Sequence, residues 1–197
     1  MTDSELIQRY LAGEVTAFNT LVWRWEKPIF NFCYRYLGND ELARDVTQQV
    51  FIRTYKNMKK LRTPDKFSSW IYQIASNLCK DEIKRMKRRN NIPLDYIRDN
   101  HQEHEFDLMS DEHSQPDSVM NRKQIESIVR DALLEIPEEQ RVVIIMKEYQ
   151  GLKFQEIADA LGESINTVKS RMYYGLNALG KVFDRWEINK EVLHYEV

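Results

Sequence analysis

Phe154-Gln-Glu-Ile-Ala-Asp-Ala-Leu-Gly-Glu-Ser-Ile-Asn-Thr-Val-Lys-Ser-Arg171 reads as a short helix, a glycine turn and the start of a longer helix. Ala158 is small where the second helix must cross closely. Gly162 enters the left-handed region without a Cβ penalty. Ser164 or Asn166 caps the helix that follows. This is the helix-turn-helix order, in which the second helix lies in a DNA major groove. That helix is expected from Ile165 to about Phe183, with Leu161, Ile165, Val168, Met172, Leu176 and Leu179 on the stripe facing the core. Its outward face carries Asn166, Lys169, Ser170, Tyr173, Tyr174 and Asn177: donors, a cation and planar rings suited to base edges. Lys153, Thr167 and Arg171 are placed for phosphates. A helical hairpin with a solvated polar face gives the same pattern, so the rest of the chain must decide.

Upstream, Val119, Met120, Ile125, Ile128, Val129, Ala132, Leu133 and Leu134 predict a helix. Ile136-Pro137-Glu138-Glu139 starts another, with proline in the first turn and acids at the positive end of the helix dipole. Val142, Val143, Ile145, Met146 and Tyr149 bury it, and Gly151 closes it. From Asn91 to about Asp117 periodicity fails. Pro93 and Pro116 bracket an acidic stretch that reads as a flexible linker. His101, His104 and His113 lie in it without a cysteine, so no metal site is expected.

Helices are expected throughout the N-terminal part. Leu6, Tyr10 and Leu11 form one apolar face, ended by Gly13. Ala17 to Leu37 has apolar residues at steps of three and four, and Pro28 kinks or breaks it. Gly38-Asn39-Asp40 is a stop and a cap, with Asp40 as capping residue. Glu41 to Lys59 buries Ala43, Val46, Val50, Phe51 and Tyr55. After a loop, Lys60 to Lys66, a helix from about Phe67 to Arg89 turns Trp70, Ile71, Ile74, Leu78 and Ile83 to one side and ends in a basic run, Lys84 to Arg89. Its polar face mixes cations with Ser68, Ser69, Gln73, Asn77 and Asp81, and Trp70 and Tyr72 interleave. Cations along a backbone track and rings for unstacked bases are what hold single-stranded nucleic acid.

Only 6 glycines and 5 prolines occur in 197 residues, which disfavours turn-rich β folds. The expected fold is all-α: two small helical domains, 1–92 and 119–185, joined by an acidic linker, 93–118, with a tail, 186–197. The net charge of −2 conceals an asymmetry: residues 1–92 carry 17 Lys/Arg against 10 Asp/Glu, residues 93–121 carry 1 against 8, and residues 122–197 carry 11 against 13. Different partners are expected for each part. Cys33 and Cys79 are expected as buried free thiols in a reducing compartment. With no long apolar run and no signal-peptide pattern in Met1 to Tyr10, a cytoplasmic protein is expected. No phosphate loop, metalloprotease helix or nucleophile motif is present. The protein is therefore expected not to be an enzyme and to need no cofactor, metal or small-molecule substrate.

Asp45-Val-Thr-Gln-Gln-Val-Phe51, Phe67-Ser-Ser-Trp-Ile-Tyr-Gln-Ile-Ala-Ser-Asn-Leu78, Ile136-Pro-Glu-Glu-Gln-Arg141, Phe154-Gln-Glu-Ile-Ala158 and Asn166-Thr-Val-Lys-Ser-Arg171 occur in this order. Together they resemble extracytoplasmic-function (ECF) sigma factors over roughly residues 5–90 and 119–183. The resemblance implies that the first domain is sigma region two and the last is region four. Asp45 and Gln48 would dock on the clamp helices of the largest subunit of core RNA polymerase. Leu61, Arg62, Ser68, Ser69, Trp70, Asn77, Asp81 and Lys84 would read the melted minus-ten strand, with Asn77 and Asp81 as base readers and Trp70 supporting a pocket for a flipped base. Lys153, Asn166, Thr167, Lys169, Ser170, Arg171, Tyr173 and Tyr174 would meet the minus-thirty-five duplex. An anti-sigma protein, often membrane-bound, is the implied regulator. Many relatives are basic where Tyr174 stands and polar or charged where Leu176 stands, so phosphate attraction by this helix should be weaker than usual. The other reading is a helix-turn-helix regulator that acts without being a polymerase subunit. A basic first domain with a polar docking helix is superfluous in such a regulator.

In relatives the linker threads through polymerase channels meant for nucleic acid, where the acids from Asp95 to Asp117 would mimic phosphates. Exchanging them for Asn and Gln is predicted to impair initiation while holoenzyme assembly stays largely intact. Unchanged run-off transcription would reject the idea.

Overall fold

The structure, a computed structural model, describes residues 1–89 and 116–188. It contains helices α1 (Asp3–Leu11), α2 (Val15–Leu37), α3 (Asp40–Asn57), α4 (Phe67–Arg89), α5 (Pro116–Glu135), α6 (Glu138–Ile144), α7 (Phe154–Leu161) and α8 (Ile165–Arg185). Among the described residues there is no strand. Most of the expected linker and residues 189–197 of the tail lie outside the described residues, including His101, His104 and His113.

Local chemistry sets the helix ends. Thr2 and Glu5 form a reciprocal capping box at α1. Gly38 closes α2 in the left-handed conformation, φ 71°, and its N–H donates to the Tyr34 carbonyl at 2.8 Å. The α3 cap is Asn39 rather than Asp40: the Asn39 side-chain oxygen accepts from the Leu42 N–H at 2.9 Å. Asp40 falls in the first helical turn instead, and Arg44 pairs with it one turn on.

Helix α2 is the spine of the first unit and runs unbroken through Pro28. An interior proline costs about 3 kcal/mol. The large apolar side chains α2 buries, among them Phe18, Leu21, Ile29, Phe32 and Leu37, each return about 1.5–3 kcal/mol. Packing against α1, α3 and α4 therefore overrides the break. Phe32 packs on Tyr36 and Tyr72 at ring separations of 5.7 and 5.3 Å, and Trp25 meets Phe67 at 5.5 Å. Cys33 and Cys79 are buried free thiols in this core. Burial holds the Cys79 thiol well above its ordinary range, and the adjoining Cys33 adds to the effect.

In the second unit the run from Val142 in α6 through Met146 is buried without a break. No single helical stripe covers consecutive residues, so α6 must be enclosed by neighbours. It continues into a π-helical turn, Ile145–Tyr149. Pro137 lies just before α6 as its cap, not within the first turn. Helix α5 begins at Pro116, ahead of the expected Val119.

Four side chains depart from the periodicity reading, among them Tyr149, which is 39% exposed instead of buried with its helix. Tyr55 is exposed, although its ring rests on Tyr10 and Phe18. Leu11 is also exposed, and Ile7 takes its place in the core. In α8, Leu176 is 50% exposed and the buried stripe is Val168, Met172, Gly175, Leu179 and Val182. Gly175 allows this: a Cβ there would lie 2.8 Å from Ile144 Cδ1 and 3.1 Å from Gln140 Cβ. The bare glycine lets α6 and α8 approach closely, and a leucine side chain has no room on that line.

Gly175→Val is predicted to destabilise the fold by about 1–3 kcal/mol through overpacking. A Cβ at Gly180 meets nothing within 4 Å, so Gly180→Ala is predicted to stabilise by about 1 kcal/mol through helix propensity. Urea unfolding of the two variants should show opposite signs on one helix.

Candidate nucleic-acid interface

Two clefts flank Trp70 at the N-terminal half of α4. The first, about 400 Å³, is lined by Lys60, Leu61, Arg62, Thr63, Lys66, Ser69, Trp70, Gln73 and Asp159. The second, about 250 Å³, is lined by Arg53, Asn57, Lys60, Trp70, Ile74 and Asn77. Both arise from the turn between α3 and α4. Met58–Lys60 and Pro64–Lys66 form short 3-10 turns, and Met58 and Leu61 are buried beneath them. The apolar anchors hold the loop down, so Lys60, Arg62, Thr63 and Lys66 point to solvent around the indole. Its geometry suits a planar base beside a ring, with cations at hand for the backbone.

Of the residues assigned to the minus-ten element, Leu61, Arg62, Ser69 and Trp70 come together in the first cleft, and Trp70 and Asn77 in the second. Asp81 and Lys84 continue along the exposed face of α4 beyond both clefts. Ser68 is half-buried and lines neither. Tyr72 does not interleave with the open face: it is buried, and its hydroxyl donates to Gln150 Oε1 at 2.6 Å. Arg53 and Asn57 were missed. They stand one turn apart on α3, and only the crossing of α3 over α4 brings them to Trp70. Nothing in the periodicity of α3 marks that crossing.

The second surface is α8. Ser164 is its cap, accepting from the Thr167 N–H at 3.0 Å, and its hydroxyl also contacts Thr167 Oγ1 at 2.8 Å. Gly162 takes the expected left-handed turn, φ 68°. Asn166, Lys169, Ser170, Tyr173, Tyr174 and Asn177 are all exposed, as is Lys153 at the start of α7. Tyr173 and Tyr174 are 65% and 61% exposed, with their rings edge-on at 5.5 Å. Arg171 is half-buried and paired with Glu163 at 3.0 Å, which ties down a cation assigned to phosphate. Asp45 and Gln48 share the exposed face of α3, with exposed Ile52 one turn further. Among the described residues no group of acids, histidines or cysteines could hold a metal, and no helix is long and apolar enough to cross a membrane.

Residues 21–89 match the family model Sigma-70 region 2, and residues 126–179 match Sigma-70, region 4, which makes the protein sigma-70-type in class. The ECF RNA polymerase sigma factor SigW of Bacillus subtilis is 30% identical over 175 residues, covering 89% of this chain and 93% of the relative. The ECF RNA polymerase sigma-E factor of Escherichia coli K12 is 30% identical over 180 residues, covering 91% and 93%. The chain belongs to the ECF family of RNA polymerase sigma factors. Such proteins are non-enzymatic factors of transcription initiation. The fold is that of two solved structures: CnrH in complex with the cytosolic domain of CnrY (TM-score 0.67, 19% identity, 93% of this chain and 97% of that one) and RpoE of Bartonella quintana in complex with the anti-sigma factor NepR (TM-score 0.64, 16% identity, 86% and 98%).

Ser164→Ala is predicted to lower stability by about 1 kcal/mol through loss of the cap. Asn166→Ala should change the urea midpoint by less than half as much. Equal effects would mean that the cap is misassigned.

Proposed function

We propose that this sigma factor directs core RNA polymerase to promoters by holding melted minus-ten bases around Trp70 and by laying α8 against the minus-thirty-five duplex. The carrying observation is the pair of clefts on either side of one indole, rimmed by Lys60, Arg62, Lys66 and Arg53. Residues 1–92 act as region two and 119–185 as region four, with 93–118 between them and 186–197 as a tail. Leu61, Arg62, Ser68, Ser69, Asn77, Asp81 and Lys84 work with Trp70 on the melted strand. Flipping a base costs a few kcal/mol, so an A/T-rich element opens most cheaply. Lys169, Ser170, Tyr173, Tyr174 and Asn166 read the duplex, and Lys153, Thr167 and Arg171 meet its phosphates. Asp45 and Gln48 form a polar seat on polymerase, and Ile52 beside them adds an apolar contact.

Regulation by an anti-sigma protein is part of the same reading. RpoE of Bartonella quintana, which shares the fold, was solved with such a partner. The proposed site of action is the cytoplasm, with membrane attachment coming only through that partner.

The test is run-off transcription with bacterial core enzyme on a library of promoter sequences. Trp70→Ala is predicted to reduce open-complex formation about 10-fold, in line with one lost base stack at ~1–3 kcal/mol. Association with core should be unchanged. Asp45→Lys should weaken that association. Lys169→Ala should lower the salt slope of promoter binding by about 1. Tight binding of a duplex operator without polymerase would overturn the proposal in favour of an ordinary regulator.

A further inference from the structure

Leu176 stands where the sequence pattern puts a core residue, and the fold turns it outward. The cause is the seat of α8 on α6. With Gly175 bare against Ile144 and Gln140, the buried line of α8 runs through Val168, Met172, Gly175, Leu179 and Val182. Successive helix residues are about 100° apart. Leu176 therefore leaves that line on the side shared by Lys169 and Tyr173. The three follow at steps of four and three and form one row along the helix. Lys169 is exposed, Tyr173 is 65% exposed and Leu176 is 50% exposed. The Tyr173 ring stands edge-on to that of Tyr174 at 5.5 Å. Gly180 continues the row, and a Cβ there would meet nothing within 4 Å, so the surface beyond Leu176 is flat.

We infer that Leu176, with Tyr173 beside it, packs on the C5-methyl group of a thymine in the minus-thirty-five duplex and so sets a base preference. The inference rests on the proposed reading of α8. At 1.5 Å per residue, Lys169 to Leu176 spans about 10.5 Å, and a major groove is about 12 Å wide. The row therefore fits within one groove. Two kinds of surface are in reach there, backbone phosphate and base edge. A leucine against phosphate strips water from an anion and returns no hydrogen bond. Along the base edges the groove displays donors and acceptors, with the thymine methyl as the apolar group. That methyl is the one complement to leucine. An uncharged side chain releases no counterions, so Leu176 acts on the choice of sequence and not on affinity shared by all DNA.

The test is a double-mutant cycle between protein and promoter, run with holoenzyme. The minus-thirty-five element is taken from the run-off library. Each thymine in either strand is then replaced singly by deoxyuridine, which keeps every hydrogen-bonding group and removes only the methyl. At one position, wild-type holoenzyme should bind the uracil promoter about 4-fold more weakly, the effect of one buried methyl. Leu176→Ala should bind the thymine promoter more weakly by a similar factor and show no thymine–uracil difference at that position. Leu176→Met, apolar and of similar size, should keep most of the difference. All three proteins should share one salt slope, since no phosphate contact changes. Urea midpoints within about 0.5 kcal/mol of wild type show that the half-exposed site has not cost the fold.

Equal thymine–uracil ratios in wild type and Leu176→Ala overturn the inference. So does the absence of a uracil effect at every position, or a selected element without thymine. A Leu176→Ala protein that loosens from core enzyme with its ratio unchanged overturns it too, and marks the row as a protein-docking face. A wild-type holoenzyme indifferent to the whole minus-thirty-five box would sink the reading of α8 itself, and this inference with it.

Discussion

Tyr36 is the side chain on which both halves of the molecule converge. Its ring is fully buried and stacks into the aromatic core of the first unit beside Phe32. A buried phenol needs a hydrogen-bond partner, because leaving it unpaired forfeits the hydration lost on burial. The nearest acceptor comes from the other unit: the Glu138 carboxylate, in the first turn of α6. Burial and that neighbouring negative charge push the hydroxyl strongly toward its protonated form, so it stays a donor across the physiological range. Arg141, one turn along α6, returns to the Tyr36 carbonyl. One residue of the spine helix thus fixes the first core and sets where the second unit can rest.

The π turn after α6 has a matching role. A wider turn changes the direction in which successive side chains leave the axis. Ile145 and Met146 remain in the core, and Tyr149 and Gln150 emerge toward the first unit. There Tyr149 meets Arg35 and Gln150 accepts from Tyr72. Gly38 completes the fit. A Cβ at this left-handed position would collide with the Leu134 methyls, so the residue that ends α2 also admits α5. Chain termination and inter-unit packing meet at one glycine.

Much of the helix pattern was legible because local rules govern it. The α4 span, the Phe154–Leu161 helix and the Gly162 turn follow from spacing and local chemistry that no distant contact alters, and of the two caps the sequence offers, Ser164 and Asn166, Ser164 takes the place. What was not legible depends on neighbours. Leu176 looks like a core residue until α6 is seen to press against Gly175. Tyr72 looks like part of a reading face until Gln150 claims its hydroxyl. Asp40 and Asn39 are both good caps by type, and only the backbone geometry at Asn39 decides between them. Arg53 and Asn57 reach Trp70 through a helix crossing that their own sequence does not encode. The contact between units is invisible in sequence, since its partners lie on the order of a hundred residues apart and carry no periodic signature.

The charge distribution shows why such a protein should need polymerase. Under the proposed reading, the strongest cationic surface lies in the first unit, at the clefts and along the end of α4, where single strands would run. The duplex-facing helix α8 offers Lys169 and a paired Arg171, then Tyr173, Tyr174 and exposed Leu176. Each phosphate contact contributes through counterion release, so few cations mean a small sequence-independent affinity. Apolar and ring contacts with base edges supply discrimination rather than grip. A chain of net charge −2 with its second reading surface so weakly basic has little to hold duplex DNA with on its own. The missing affinity must come from a larger assembly that already holds the DNA.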